Sequence, residues 1–379
     1  MKKTIGKISD VCKVFAGQSP KGTSYNENCL GMEFHQGKKA FGDFFLGKSN
    51  VWTTEITTTA EPGDILMSVR APVGPTNITQ RKICIGRGLA AIRCREKVIP
   101  SFVLYALKNI ENKIEGNNGA VFNSINKKMI EKLPIPIIGK DEQQRIVTYL
   151  DSTFAKIDAV AKNAEDSLNE AKALFQSALT KMMEPKEGWE EKALKMCSTK
   201  IGDGLHGTPK YDENGEYYFI NGNNLDDGKI EISNTTKRVN IIEYNKNKVD
   251  LNENSVLLSI NGTIGKTAFY NDEKIILGKS ACYINVIPIL KKEYLRYFFL
   301  SKRFLEYAKH NVRQATIMNL GLREIREMKL FIPPISTQQT IVATLDSLKS
   351  KVDQLQANLS RTLTECAALK QSILRQTFE

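Results

Sequence analysis

Paired cysteines, clustered histidines and long apolar runs are all missing from this 379-residue chain. The seven cysteines, at positions 12, 29, 84, 94, 197, 282 and 366, are odd in number and include no Cys-x-x-Cys pair. That usage predicts free thiols in a reducing compartment. His35, His206 and His310 are the only histidines, and none has the spacing that makes a zinc site with cysteine. Leu133 to Ile138 is among the longest apolar stretches, is interrupted by Pro134 and Pro136, and falls far short of the ~20 residues that cross a bilayer. The opening Met1-Lys2-Lys3-Thr4-Ile5 imitates a secretory start, but Gly6, Lys7, Ser9, Asp10 and Lys13 break the apolar core a signal peptide needs. A soluble, cytoplasmic protein without membrane contact is expected.

Catalytic signatures are scarce as well. No G-x-S-x-G elbow, H-E-x-x-H helix or paired-carboxylate arrangement occurs. Gly202-Asp-Gly204-Leu-His-Gly207 fits a dinucleotide fingerprint, yet polar Ser198 to Lys200 precede it and Thr208-Pro209 follow, so the flanking strand and helix are missing. Gly265-Lys266-Thr267 resembles the end of a phosphate loop, but Ile260 holds the place of its first glycine. The expectation is a chain with no catalytic centre, no metal and no cofactor of its own.

Basic residues are plentiful. Lys and Arg number 54 against 42 acidic residues, a formal charge of +12, which makes a polyanion, nucleic acid first, the partner to test. The length favours two domains, and a repeat divides them. Sliding Gln143 to Glu184 onto Gln338 to Glu379 matches 18 of 42 positions. Fainter echoes upstream pair Asp64 to Val69 and Gly74 with Ser255 to Ile260 and Gly265, and Ile85-Gly86-Arg87 with Leu277-Gly278-Lys279. The chain thus repeats one plan, a divergent globular part followed by a shared segment.

The shared segments predict long helices. Leu150, Phe154, Ile157, Ala161, Ala164, Leu168, Ala171, Phe175, Ala178 and Met182 alternate in steps of four and three; so do Ile341, Leu345, Leu348, Val352, Leu355, Leu359, Thr362, Cys366, Leu369 and Ile373. These are heptad seams. Asp141 with Gln144, and Ser336 with Gln339, are the expected start signals. Small alanines on one seam facing Leu, Val and Ile on the other favour pairing within the chain over packing on separate domains. Trp52, Trp189 and Tyr297 to Phe299 are expected in cores. The predicted fold class is α/β of the α+β kind: two globular domains separated by two long helices that pair as an antiparallel coiled coil, a pseudo-two-fold internal repeat. The boundaries are 1–140, 141–184, 185–335 and 336–379. The helical segments hold ten basic and twelve acidic residues, so the positive surplus lies on the globular parts.

Two divergent domains alternating with helices that open Asp141-Glu-Gln-Gln-Arg-Ile-Val and Ser336-Thr-Gln-Gln-Thr-Ile-Val resemble the specificity subunit of a type I restriction-modification system. Loops such as Gly17-Gln-Ser-Pro20, Gln36-Gly37-Lys38 and Ile201 to Pro209 are similar to those of its target-recognition domains. The resemblance implies a non-catalytic subunit whose two domains each read half of a bipartite, asymmetric double-stranded DNA site at a gap set by the helices. It implies two modification subunits that methylate adenine from S-adenosylmethionine, and restriction subunits using ATP and Mg. The loop residues expected on DNA are Gln18, Ser19, Lys21, Tyr25, Gln36, Lys38, Arg70 and Arg87 in the first domain. In the second they are His206, Thr208, Lys210, Asn221, Asn223, Asn261, Lys266 and Lys279. Leu150, Phe154, Ile157, Leu168, Leu345, Val352, Leu355 and Leu359 are the expected coiled-coil seam. The rival reading is a non-catalytic coiled-coil scaffold joining two protein-binding domains.

Overall fold

The computed structural model describes residues 4–114, 124–311 and 318–379, so Met1 to Lys3 of the opening stretch lie outside the described residues. The chain divides into two compact units, Met1–Glu165 with Asn358–Glu379, and Asp166–Ala357.

The first unit is built on an antiparallel sheet in the order Cys12–Ala16, Leu89–Cys94, Ile65–Ser68, Thr76–Ile78. Ile65 to Ser68 is buried throughout, as a strand covered on both faces requires. A second sheet of five short strands contains one parallel pair, Met32–His35 beside Ile83–Ile85. Helix Pro100–Ile114 presents Phe102, Val103, Leu104 and Leu107 to the core, alongside Ile65, Met67 and Ile92.

The second unit repeats this order with other residues. Its antiparallel sheet runs Ser198–Asp203, Ala281–Val286, Ser255–Ser259, Thr267–Phe269. Its parallel pair is Tyr217–Ile220 beside Ile275–Leu277. Helix Lys292–Leu300 buries Tyr297, Phe298 and Phe299, as expected. Trp52 and Trp189 are only half-buried and take no full core position.

The long helices are Lys140–Met183 and Ile335–Phe378. Within the first unit they run antiparallel, with Cys366 Sγ 3.8 Å from the Ile157 carbonyl oxygen, Lys370 Nζ over the Phe154 ring and Lys370 paired with Asp158. Within the second, Lys172 Nζ donates to Gln356 Oε1 at 3.1 Å, and Phe175 shares a cavity wall with Val352. Leu150, Ile157, Leu168, Leu345, Val352 and Leu359 are buried, and Phe154 and Leu355 half-buried. The predicted seam fails toward the helix ends: Leu369 is 50% exposed, while Leu179, Met183, Leu374 and Phe378 are buried. A straight helix drifts ~20° per heptad from a 3.5-residue repeat, and these ends pack on domain cores rather than on a partner helix alone. Phe378 meets Phe102 at 5.6 Å between ring centroids, and Phe175 meets Tyr297 at 6.4 Å.

The start signals also need correcting. Both helices begin one residue before Asp141 and Ser336, which therefore sit inside the first turn. The residues that fasten the starts are Gln143 and Gln338, both buried. The amide of Gln143 accepts from the Ile99 N–H at 2.9 Å and donates to the Ile138 carbonyl at 3.0 Å. That of Gln338 accepts from the Lys291 N–H at 2.8 Å and donates to the carbonyls of Ile289 and Pro333 at 2.8 and 2.9 Å. Two turns on, Tyr105 donates to Asp151 and Tyr297 to Asp346, each at 2.5 Å. Burial, reinforced by each carboxylate, pushes both phenol pKa values up and keeps the hydroxyls protonated donors. The repeated Gln and Asp of the sequence thus bind each helix to its own globular part.

Candidate nucleic-acid interface

In each unit the glycine that follows the first strand of the antiparallel sheet brings its loop onto the end of the parallel pair. A Cβ on Gly17 would lie 2.2 Å from the Gly86 carbonyl oxygen, and one on Gly204 would lie 2.0 Å from that of Leu277. Only glycine fits such an approach. The Gln18 N–H donates to the Ile85 carbonyl at 3.1 Å, and the Leu205 N–H donates to that of Leu277 at 2.7 Å. Gly86 donates to His35, and Gly278 to Ile220, at 2.9 and 2.8 Å. These bonds put Ser19 and His206, Gln36 and Asn221, and Arg87 and Lys279 at matching places in the two units.

Each frame opens into a groove. In the first, of about 660 Å³, Ser19, Tyr25, Gln36 and Arg87 line the wall together with Lys39 and Lys48, and no acidic residue joins them. In the second, of about 1030 Å³, His206, Asn221, Asn223, Asn261 and Lys279 meet Ser280 and Arg323, with Asp203 and Glu324 present. Grooves edged by Arg, Lys, Gln and Asn offer hydrogen-bond donors to phosphates and base edges. Tyr25 stacks on Phe34 at 4.9 Å, 37% exposed. Tyr211 lies against Phe219 at 6.0 Å, 46% exposed, in the equivalent position.

Nine of the sixteen expected contact residues therefore line these grooves. Lys21 and Lys38 stand between lining residues without lining the wall themselves, and Gln18 precedes one. Thr208 and Lys210 are exposed on the loop beyond His206. Two residues lie elsewhere. Arg70 is exposed and its backbone bridges to Ser124; Lys266 pairs with Asp226 at 3.1 Å in a cavity shared with the long-helix residues Lys349 and Asp353. Sequence reasoning missed Lys39 and Lys48 in the first groove and Ser280 and Arg323 in the second. Ser280 directly follows Lys279, so the echo of Gly86-Arg87 could have pointed to it; Arg323 carries no local signal.

Behind the first groove sits a buried ion group. Glu33 accepts from Arg81 Nε and Nη2, both at 2.6 Å, from the Ser49 N–H at 2.7 Å, and lies 2.9 Å from His35 Nε2. Burial alone would raise the Glu33 carboxyl, but these bonds outweigh it and hold the pKa at about 2. Burial pushes His35 down, so it is neutral near pH 7. In the second groove His206 Nε2 lies 2.7 Å from Asp203 Oδ2. Among the described residues no group of three or more His, Cys, Asp or Glu side chains could hold a metal, and no helix is long and apolar enough to cross a membrane.

A model of the type I restriction modification DNA specificity domain matches residues 2–170 and again residues 186–365. The chain belongs to the type I restriction-modification specificity family. The two matched stretches are two copies of the specificity domain of that family, which supplies the non-catalytic component of such systems. Residues over a 170-residue stretch are 40% identical to the MjaX specificity subunit of a type I restriction enzyme from Methanocaldococcus jannaschii, covering 44% of this chain and 40% of that relative's length. The MjaIX specificity subunit of the same organism is 23% identical over 76% of this chain and 72% of its own length. In fold, the chain is similar to a solved chain of a type I R-M system, with a TM-score of 0.77 at 17% identity over 100% of this chain and 98% of that one. It is also similar to the HsdS subunit from Thermoanaerobacter tengcongensis, with a TM-score of 0.54 at 16% identity over 99% and 96%.

Proposed function

We propose that each groove reads one half of a bipartite, asymmetric double-stranded DNA site. The observation that carries this reading is a single backbone frame, built twice, whose matching positions hold different donors: Ser19, Gln36 and Arg87 in one, His206, Asn221 and Lys279 in the other. A common frame with unlike side chains suits two different half-sites. Residues 1–140 and 185–335 serve as the target-recognition domains; 141–184 and 336–379 serve as the coiled-coil spacer that fixes the gap between half-sites. A helix of about 40 residues at ~1.5 Å per residue spans ~60 Å, a length suited to that task. The subunit binds DNA together with two modification subunits that methylate adenine from S-adenosylmethionine, and with restriction subunits that use ATP and Mg.

Long-read mapping of methyladenine in the source strain, with and without this gene and with its neighbours intact, tests the reading. Loss of one bipartite motif on deletion is the expected result. An unchanged methylome with the neighbouring genes expressed would overturn it and leave a protein-binding scaffold as the remaining reading.

A further inference from the structure

One amide in each groove is held in a fixed orientation, by a different serine in each case. Gln36 Oε1 accepts from Ser19 Oγ at 2.9 Å, and a Cβ on Gly86 would lie 2.3 Å from the same oxygen. Asn221 Oδ1 accepts from Ser280 Oγ at 3.0 Å, and a Cβ on Gly278 would lie 2.2 Å from it. Both oxygens therefore face inward onto a glycine.

The serines are themselves constrained. Ser19 Oγ accepts from the Arg87 N–H at 3.1 Å, and Ser280 Oγ accepts from the Gly222 N–H at 2.9 Å. A hydroxyl has one proton to donate, and in each case it goes to the amide oxygen. The Asn221 side chain also caps the short turn Gly222–Asn224 by accepting from its backbone. Among the described residues the Gln36 and Asn221 amino groups have no hydrogen-bond partner, although both residues line their grooves. Ser19 precedes Gln36 by seventeen residues while Ser280 follows Asn221 by fifty-nine, so two unrelated loops reach the same result.

We propose that Gln36 and Asn221 are specificity-determining residues that act as donors only, with Ser19 and Ser280 as the positioning residues that keep them so. The inference rests on the DNA-reading function above. The pairing of Asn or Gln with adenine needs the amide oxygen to accept from N6 while the nitrogen donates to N7. With the oxygen bonded to serine and turned onto the glycine, that two-bond pairing is lost, and an amino group donating to N7 of adenine meets the N6 donor beside it with no acceptor to offer. Cytosine offers a donor, N4, to a donor. Guanine, with N7 and O6, and thymine, with O4, offer acceptors alone. Each amide therefore selects guanine or thymine at one position of its half-site.

The test uses the full-length chain expressed in the deletion strain with the neighbouring genes intact, read out by methyladenine mapping. Wild type is expected to restore a motif with a guanine or thymine at one position of each half-site, and these positions are identified by the variants. Gln36→Glu changes or blurs that position in one half-site and Asn221→Asp in the other, leaving the remaining letters intact. Ser19→Ala frees the Gln36 oxygen, whose one hydrogen bond among the described residues is from that hydroxyl, and admits adenine at the Gln36 position, with methylation of such sites rising about tenfold; Ser19→Thr retains the original letter. If methylation persists with every letter unchanged in Gln36→Glu and Asn221→Asp, or if the altered position is adenine or cytosine in the wild type, the inference is overturned. Should Gln36→Glu abolish methylation altogether, Ser19→Ala decides for the first groove: admission of adenine at one position supports the latch, and an unaltered motif refutes it. A wild-type chain that restores no motif overturns the DNA-reading function itself, a result distinct from all of these.

Discussion

Directly behind the first reading face, Glu33 and Arg81 form a buried ion pair; at the matching place in the second domain Tyr218 lies under Arg238, 5.1 Å from guanidinium carbon to ring centroid. The neighbours are alike, since Phe34 and Phe219 each touch the groove glycine and each sits in a strand of the parallel pair. One domain holds its wall by charge and hydrogen bonds, the other by an aromatic face. The frame is set by the strand pairing and the glycine approaches, which tolerate different supports, whereas the groove side chains are free to diverge. At the opposite end of each domain the reverse holds. Gln143 and Gln338, like Asp151 and Asp346, keep identity because each makes a fixed set of hydrogen bonds to its own domain.

Breaking the shared anchors has the largest expected effect. Gln143→Leu leaves the Ile99 N–H and the Ile138 carbonyl without their partner, a cost of about 3 kcal/mol, and Gln338→Leu does the same at Lys291 and Ile289. Hydrogen exchange at the Ile99 or Lys291 amide is expected to accelerate only in the unit carrying the substitution; acceleration in both would break the comparison.

Removing the charge that distinguishes the first domain comes next. Glu33→Gln is expected to cost about 2 to 3 kcal/mol, less than a fully buried pair because Arg81 is partly exposed. The Glu33 carboxyl is lowered from 4.5 to about 2 in the folded chain. Its stabilisation is therefore complete above pH 4.5 and is lost as pH falls through about 2. Acid titration followed by fluorescence or hydrogen exchange should show the first domain loosening in this window, and Glu33→Gln should remove that part of the pH dependence.

Tyr105→Phe and Tyr297→Phe each delete a hydrogen bond to a carboxylate and are expected to cost about 1.5 kcal/mol apiece. Equal losses in chemical denaturation would confirm that the repeat is energetic as well as structural. Smallest are the single-charge changes. Arg87→Ala and Lys279→Ala should each reduce the salt slope of DNA binding by about 0.9, measured by anisotropy titration across salt concentrations. Lys266→Ala should leave it unaltered, because that ammonium pairs with Asp226 away from the groove.

Much of the architecture is written in the sequence. A heptad step and the absence of internal Gly or Pro placed both long helices, and the basic surplus pointed to the globular parts. Nine of the expected residues line the grooves, and they were chosen because Gln, Asn, Arg and Lys beside glycine are characteristic of loops that approach a ligand. Lys266, chosen on the same ground, stands apart from the groove beside Asp226, because a glycine neighbour signals a loop but not the direction in which it faces. The seam of the second helix was misplaced at Leu369 because sequence periodicity cannot show that a helix end leaves its partner and enters a domain core.

The duplicated plan, the long helices and the divergence of the two globular parts follow from composition, periodicity and self-similarity, which are local or additive and can be read along the chain. Which loops converge on a groove, that Ser19 and Ser280 hold equivalent amides, and that Glu33 pairs with Arg81 emerge only on folding. Those facts depend on contacts between residues 17 to 59 positions apart, which strand pairing sets and no local pattern encodes.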